Sequence, residues 1–143
     1  MRVAIAARRR GTTVDVIAII APGEIGHAFP TGDVFRQAVL TVRAGAVGRQ
    51  VTLMRYFAQT LNDDASGHLL GQVDDTRVPP PGAGPPQRFA FTLDAPGATD
   101  VTWSLDLFRL APDDALARGL GPAAQGLRIA AGTARVYADT ARN

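Results

Sequence analysis

Short apolar runs alternate with turn residues along nearly the whole chain. Val, Ile, Phe and Thr fill the runs, and fifteen Gly and ten Pro separate them. A period of two within such runs predicts strands with one face buried. Arg2–Arg8 and Thr12–Ile20 flank Gly11 and read as a hairpin. Phe35–Arg43 follows the loop Ala21–Asp33, with Phe35, Val39 and Gln37 expected on one side and Ala38, Leu40 and Val42 on the other or buried. Gln50–Ala58 alternates Val51, Leu53 and Phe57 with Thr52, Met54 and Tyr56. Gln87–Leu93 sets Phe89, Phe91 and Leu93 against Arg88, Ala90 and Thr92. Asp100–Leu110 sets Val101, Trp103, Leu105 and Leu107 against Thr102, Ser104 and Asp106. Leu127–Ala138 closes the set.

Seven strands joined by short turns predict an all-β, antiparallel, immunoglobulin-like β-sandwich. One short helix is expected over Pro112–Arg118, with Pro and acids at its start and Gly119 at its end. Trp103, the only Trp, is expected in the core. Val78–Pro86 is a proline-rich stretch. Proline cannot donate to a ladder, so the stretch reads as a stiff connection between strands, with a polyproline ligand as the other reading. A length of 143 residues suits one domain, and neither a repeat nor a second domain is visible.

Composition narrows the chemistry. Hydrophobic residues make up 46% and charged residues 20%, which is globular and not disordered. The absence of cysteine excludes disulfides, thiolate metal sites and covalent haem attachment through Cys-x-x-Cys-His in this chain. Two histidines, His27 and His68, are too few for a zinc site of several imidazoles. All fifteen basic residues are Arg, and the net charge is only +2, so a nucleic-acid footprint is not indicated. Neither Gly-x-Ser-x-Gly, a phosphate loop nor a dinucleotide fingerprint occurs. The acid pairs Asp63-Asp64, Asp74-Asp75 and Asp113-Asp114 read as turn residues. A leader peptide is not visible: the apolar stretch 1–7 is short, and Arg8–Arg10 follow it. A run of apolar residues long enough to span a bilayer is missing as well.

The most distinctive segment is Gly26-His27-Ala28-Phe29-Pro30-Thr31-Gly32-Asp33-Val34-Phe35-Arg36. Gly26 and Gly32 permit backbone angles that other residues resist. Pro30 fixes its own φ and holds Phe29 extended. Thr31 and Asp33 are suited to bonding nearby backbone N–H groups. A rigid loop leading into a strand is expected. The second segment, Asp74-Asp75-Thr76-Arg77-Val78-Pro79-Pro80, places acid and Arg ahead of the proline connection.

These two segments, in this order, resemble the C-terminal, haem-free β domain of bacterial multihaem c-type cytochromes. There a G-H-x-F-P-T-G-D motif is followed by D-T-R-x-P-P, an aromatic strand and a strand ending near Arg. Here the corresponding residues are Asp75-Thr76-Arg77-Val78-Pro79-Pro80, then Phe89-Ala90-Phe91, then Leu105–Leu110, and the order runs across residues 2–137. The lead-in Ile19–Ile25 departs from the short Asn-Val-Gly-Ala type, and the Cys-x-x-Cys-His sites of the relatives are absent. The resemblance implies a haem-free accessory or structural subunit, not an enzyme, that docks on a multihaem cytochrome chain or another electron-transfer subunit. It implies a periplasmic or extracellular location. Cofactors are expected only in the partner, as haem c.

The residues implied in that contact are His27, Phe29, Pro30, Thr31, Asp33 and Arg36, supported by Asp75 and Arg77. His27 has two roles open: ligating or hydrogen-bonding a partner's haem, or bonding to backbone, Asp33 or Asp75 to lock the loop. Arg36 and Arg77 likewise fit either haem propionates or internal pairing with Asp33, Asp74 or Asp75. His68 reads as a solvated loop residue. Two other functions stay open: a binding module for a sugar or another surface ligand, and a metal-dependent enzyme centred on His27.

Overall fold

The computed structural model describes residues 1–24, 26–32, 35–61, 68–119, 121 and 126–138. Among the described residues, nine strands and one helix follow one another: β1 (Arg2–Arg10), β2 (Thr13–Ala21), β3 (Gln37–Ala44), β4 (Val47–Leu53), β5 (Arg55–Leu61), β6 (His68–Asp75), β7 (Gln87–Asp94), β8 (Asp100–Phe108), α1 (Pro112–Ala117) and β9 (Gly126–Tyr137). Seven of the strands form one mixed sheet in the order β4-β3-β8-β9-β1-β2-β7, and its end strands β4 and β7 approach each other, so the sheet nearly closes. Among the described residues β5 and β6 pair only with one another. Among the described residues no helix is long and apolar enough to cross a membrane.

The expected β1–β2 hairpin is present, in continuous register from Arg2–Ala21 to Arg10–Thr13. The period of two is clean in β2, where Val14, Val16, Ala18 and Ile20 are buried. It fails in β3, where Gln37 through Leu40 are all buried. β3 lies between β4 and β8, and over Gln37–Leu40 both of its faces are covered, which turns the alternation into a continuous buried run. One core cluster draws Val16, Ile20 and Leu93 from the β1-β2-β7 block and Leu40, Leu53 and Leu105 from the β4-β3-β8-β9 block. Each such side chain contributes about 1.5–3 kcal/mol on burial.

The structure corrects several expectations. The sheet is not purely antiparallel: β1 and β9 run parallel through Ala7–Val136 and Arg8–Tyr137. These are the first and last strands, they run the same way, and their short parallel join links the two antiparallel blocks. The expected strand Gln50–Ala58 divides at Met54. There the Met54 N–H donates to Thr76 Oγ1 at 3.1 Å, and its carbonyl accepts from Thr76 N–H at 3.0 Å, so the residue leaves the β3 ladder. β6 was not anticipated, because His68-Leu69-Leu70-Gly71-Gln72-Val73 carries neither clean alternation nor β-branched enrichment. His68 is accordingly its first residue, opposite Leu61, and not a loop residue. Phe35 is not a strand residue sharing a side with Val39; it lies in a turn ahead of β3 and is 60% exposed. Trp103 packs on the core but is only half-buried.

The helix stands where expected, with Asp113 and Asp114 in its first turn and Ala115 buried. Asp74 and Asp75 end β6, while Asp63 and Asp64 lie outside the described residues. The proline stretch is a connection between β6 and β7. A backbone bond from Ala83 N–H to the Pro80 carbonyl at 3.1 Å closes a turn in which Gly82 takes φ +81°. Pro81 then Gly82 at its centre is the residue pair a type II turn needs.

Candidate partner-binding loop

The loop after β2 is pinned by backbone. Phe29 and Val78 exchange two hydrogen bonds of 2.8 Å each, forming an isolated antiparallel bridge. The two distinctive sequence segments are thereby brought side by side, although about fifty residues separate them. Phe29 packs partly against the core, Val78 is 1% exposed, and Pro30, which follows a cis peptide bond, is buried. Gly26, His27, Thr31 and Gly32 remain exposed. The bridge therefore presents the loop's polar residues outward on a fixed base.

His27 lies beside a small crevice formed with Met1, Pro22, Phe29, Val78 and Pro79. Its Nδ1 is 3.3 Å from the Ala28 carbonyl oxygen. That contact is local, and the imidazole stays on the surface. Asp33, the expected partner within the loop, lies outside the described residues.

Arg36 and Arg77 part company. The Arg77 guanidinium makes a two-pronged pair with Asp75, Nε to Oδ1 at 2.8 Å and Nη2 to Oδ2 at 2.6 Å, and the Arg77 N–H also donates to Asp75 Oδ1 at 3.1 Å. The side-chain hydrogen bond from Arg77 is the main reason the Asp75 carboxyl lies below its ordinary range, against a smaller opposing push from burial. The same bond raises Arg77. Gln87 donates to the Arg77 carbonyl at 3.0 Å, which holds the start of β7 against this segment. Arg77 is thus engaged internally, one of its two expected roles.

Arg36 lies on the backbone of Gly32. A Cβ at position 32 would stand 2.8 Å from Cδ and Nε of Arg36, and Gly32 has φ +113°, so only glycine suits both the conformation and the close approach. Arg36 Nη1 donates to the Thr31 carbonyl at 3.2 Å, and its buried Nε has no hydrogen-bond partner among the described residues. Arg55, from the start of β5, donates to the Gly32 carbonyl at 2.9 Å while its guanidinium sits 5.7 Å from the Phe57 ring centroid. Two guanidinium groups therefore converge on the carbonyls of Thr31 and Gly32. Arg55 was missed in the sequence: it belongs to a different strand, and nothing in its local spacing points to the loop. Thr76 was expected only as part of a motif. Its hydroxyl reaches the Thr52 carbonyl at 3.1 Å and accepts from Met54 N–H, tying the root of the β5–β6 hairpin to β4.

The loop carries an exposed imidazole at His27 and, at Thr31 and Gly32, carbonyls bound by two arginines, with its base held by the Phe29–Val78 backbone bridge. It suits the recognition of anionic or carbonyl-rich surfaces. Among the described residues no group of three or more His, Asp and Glu could hold a metal ion.

Comparison with known proteins places the fold. No family model matches the chain, and no curated protein does. A penta-heme cytochrome c552 from Thermochromatium tepidum, known from its crystal structure, matches over 92% of this chain with a TM-score of 0.63 at 19% identity. The chain spans 38% of that cytochrome's length. The likeness is one of fold, and it extends over nearly all of the β-rich chain described above.

Proposed function

We propose that this chain is a haem-free accessory or structural unit that docks on a multihaem c-type cytochrome or a comparable electron-transfer chain, without catalysis of its own. The observation that carries the reading is the shared fold with a penta-heme cytochrome over 92% of the chain. The exposed His27, Thr31 and Gly32 on their rigid base support it, as do the two arginines behind that loop. In this reading His27, Phe29, Pro30, Thr31, Asp33 and Arg36 form the docking loop, and Asp75 and Arg77 brace it. Any haem belongs to the partner, and the setting is periplasmic or extracellular. Two antiparallel blocks facing one core, joined where the first strand meets the last, support the immunoglobulin-like form of the fold.

The test is isolation from the native source in mild detergent, with a visible spectrum and mass identification of what co-purifies. A haem-bearing chain in fixed ratio is expected, with binding weakened by His27→Ala or Thr31→Arg. The recombinant chain alone is expected to show no haem absorbance. A solitary, colourless protein from the native source, or tight haem retention by the chain alone, would overturn the reading.

A further inference from the structure

The outer face of the β4-β3-β8-β9 block carries a polar trough that lies outside the docking loop. Directly opposed residues share a face. The registers set Arg43, Thr102 and Thr133 in one row across β3, β8 and β9, and Thr41, Ser104 and Ala131 in the next. Their strand neighbours Val42, Val101 and Leu105 face the core. Apart from Arg43, the side chains in these rows are short. They floor a depression of about 550 Å³ between Arg43 and Arg128, beside a second of about 470 Å³ that shares Thr41 and Arg43.

The charge balance on this face leaves one cation unpaired. The four strands carry four Arg and two Asp. Asp106 is taken up by Arg128 at 2.8 Å and by the Ser104 hydroxyl at 2.8 Å, and Asp100 stands opposite Arg135. Arg49 donates to the Gly48 carbonyl at 3.2 Å. Arg43 is exposed, and its guanidinium has neither a hydrogen bond nor an ion pair among the described residues. Gly48 stands opposite it, and a Cβ there would lie 3.1 Å from Arg43 Cγ. The missing side chain lets the Arg43 stem lie along the sheet, with its fork of donors open to a ligand.

The chemistry of the trough selects that ligand. An unpaired guanidinium fork takes a carboxylate or a sulfate through two parallel bonds. The hydroxyls of Thr41, Thr102 and Thr133 have no hydrogen-bond partner among the described residues. Hydroxyls both donate and accept, so they match the hydroxyls of a sugar ring. Trp103 turns its indole to the core side, against Gly132. A nucleobase would therefore find no stacking platform on this floor.

We propose that the trough between Arg43 and Arg128 binds an acidic saccharide, its carboxylate or sulfate on Arg43 and its hydroxyls on Thr41, Thr102 and Thr133. The proposal does not rest on the docking-loop reading, because it uses neither the loop nor a haem-bearing partner. The probes are tetragalacturonate and a sulfated heparin tetrasaccharide, titrated calorimetrically into the full chain. Neutral maltotetraose and a tetraglutamate peptide are the controls. At least one acidic saccharide is expected to bind at millimolar concentration, and the tighter of the two identifies the acid group. Arg43→Gln is expected to weaken it by about tenfold or more, the scale of one hydrogen bond to a charged group. Thr133→Val should weaken it less, and Arg88→Gln, on β7 in the other block, should leave it unchanged. Arg43, Arg88 and Thr133 are exposed, so the variants are expected to fold, and unchanged emission from Trp103 checks this. Absence of binding by both acidic saccharides would overturn the proposal, as would binding that survives Arg43→Gln. Equal binding of maltotetraose would show that the guanidinium is not used. Equal binding of tetraglutamate would show that the hydroxyls are not, and either result also overturns it.

Discussion

Gly132 shows how much one hydrogen atom decides. It pairs with Trp103 across the β8–β9 ladder, and a Cβ there would stand 2.9 Å from Cζ2 of the indole. The ring lies flat against the space a side chain would take. Gly132→Ala is expected to displace the indole and cost about 1–3 kcal/mol, as overpacking does. Urea denaturation followed by the emission of the single Trp checks both the displacement and the cost. At Asp75, the sign of the pH dependence follows from the Arg77 bond, which holds the folded carboxyl below its ordinary range. The unfolded state binds the proton more readily, so the pair stabilises above the ordinary carboxylate range and loses its contribution as pH falls toward the lowered value. At Asp106 burial pushes upward, but hydrogen bonds from Arg128 and Ser104 outweigh it, and the direction is the same. Asp75→Asn is expected to cost under about 1 kcal/mol near neutral pH, and little in acid where the wild-type pair is itself lost. Comparing urea midpoints for the two proteins across that range tests it. Legibility at this scale is uneven. The oddity of Gly26–Arg36 and the pairing options of Arg77 were visible in the chain. The approach of Arg36 to Gly32 and of Arg55 to the same carbonyl was not, because residues 32 and 55 meet only after β3 and β4 have folded back.

Elements with clean alternation of apolar positions were readable whichever strand they pair with, and those that lack it or are cut by a distant residue were not. β1, β2, β7 and β8 show alternating apolar positions, and their bounds fell within about two residues of the expected ones. The break between β4 and β5 comes from Thr76, more than twenty residues away, whose hydroxyl and backbone capture Met54. Thr76→Val keeps the shape but leaves the Met54 N–H without its hydroxyl acceptor and the Thr52 carbonyl without a donor. A loss of about 0.5–1.5 kcal/mol is expected, the net worth of a part-buried hydrogen bond. Hydrogen exchange at Met54 should rise with it, and an unchanged rate would show that the break does not rest on this hydroxyl. The hairpin of β5 and β6 has little beyond this root, since neither strand packs extensively on another element. Two-stranded hairpins are marginal alone, so the same substitution should loosen the hairpin more than the main sheet.

At the scale of the whole molecule, both blocks bury one face into a single cluster, and position in that cluster decides what a leucine contributes. Leu105 is fully buried, whereas Leu127 is 64% exposed near the start of β9. Leu105→Ala is expected to cost about 2–5 kcal/mol, and Leu127→Ala within about 0.5 kcal/mol of nothing. Paired urea melts of the two variants check this, and a large loss at Leu127 would mean that the start of β9 is covered in solution. Sequence alone determined that the chain is β-rich, that it cannot hold haem through cysteine, that one short helix lies near residue 112, and that two unusual segments accompany the strands. Those properties follow from composition and from periods of a few residues. Tertiary structure alone decided that the sheet is mixed and nearly closed, that Phe29 and Val78 join the two segments, and that β9 meets β1 in parallel at Val136 and Tyr137. Each of these depends on which strands meet across the core, and strand pairing over long separations is set by the packing of whole faces, which no local pattern encodes.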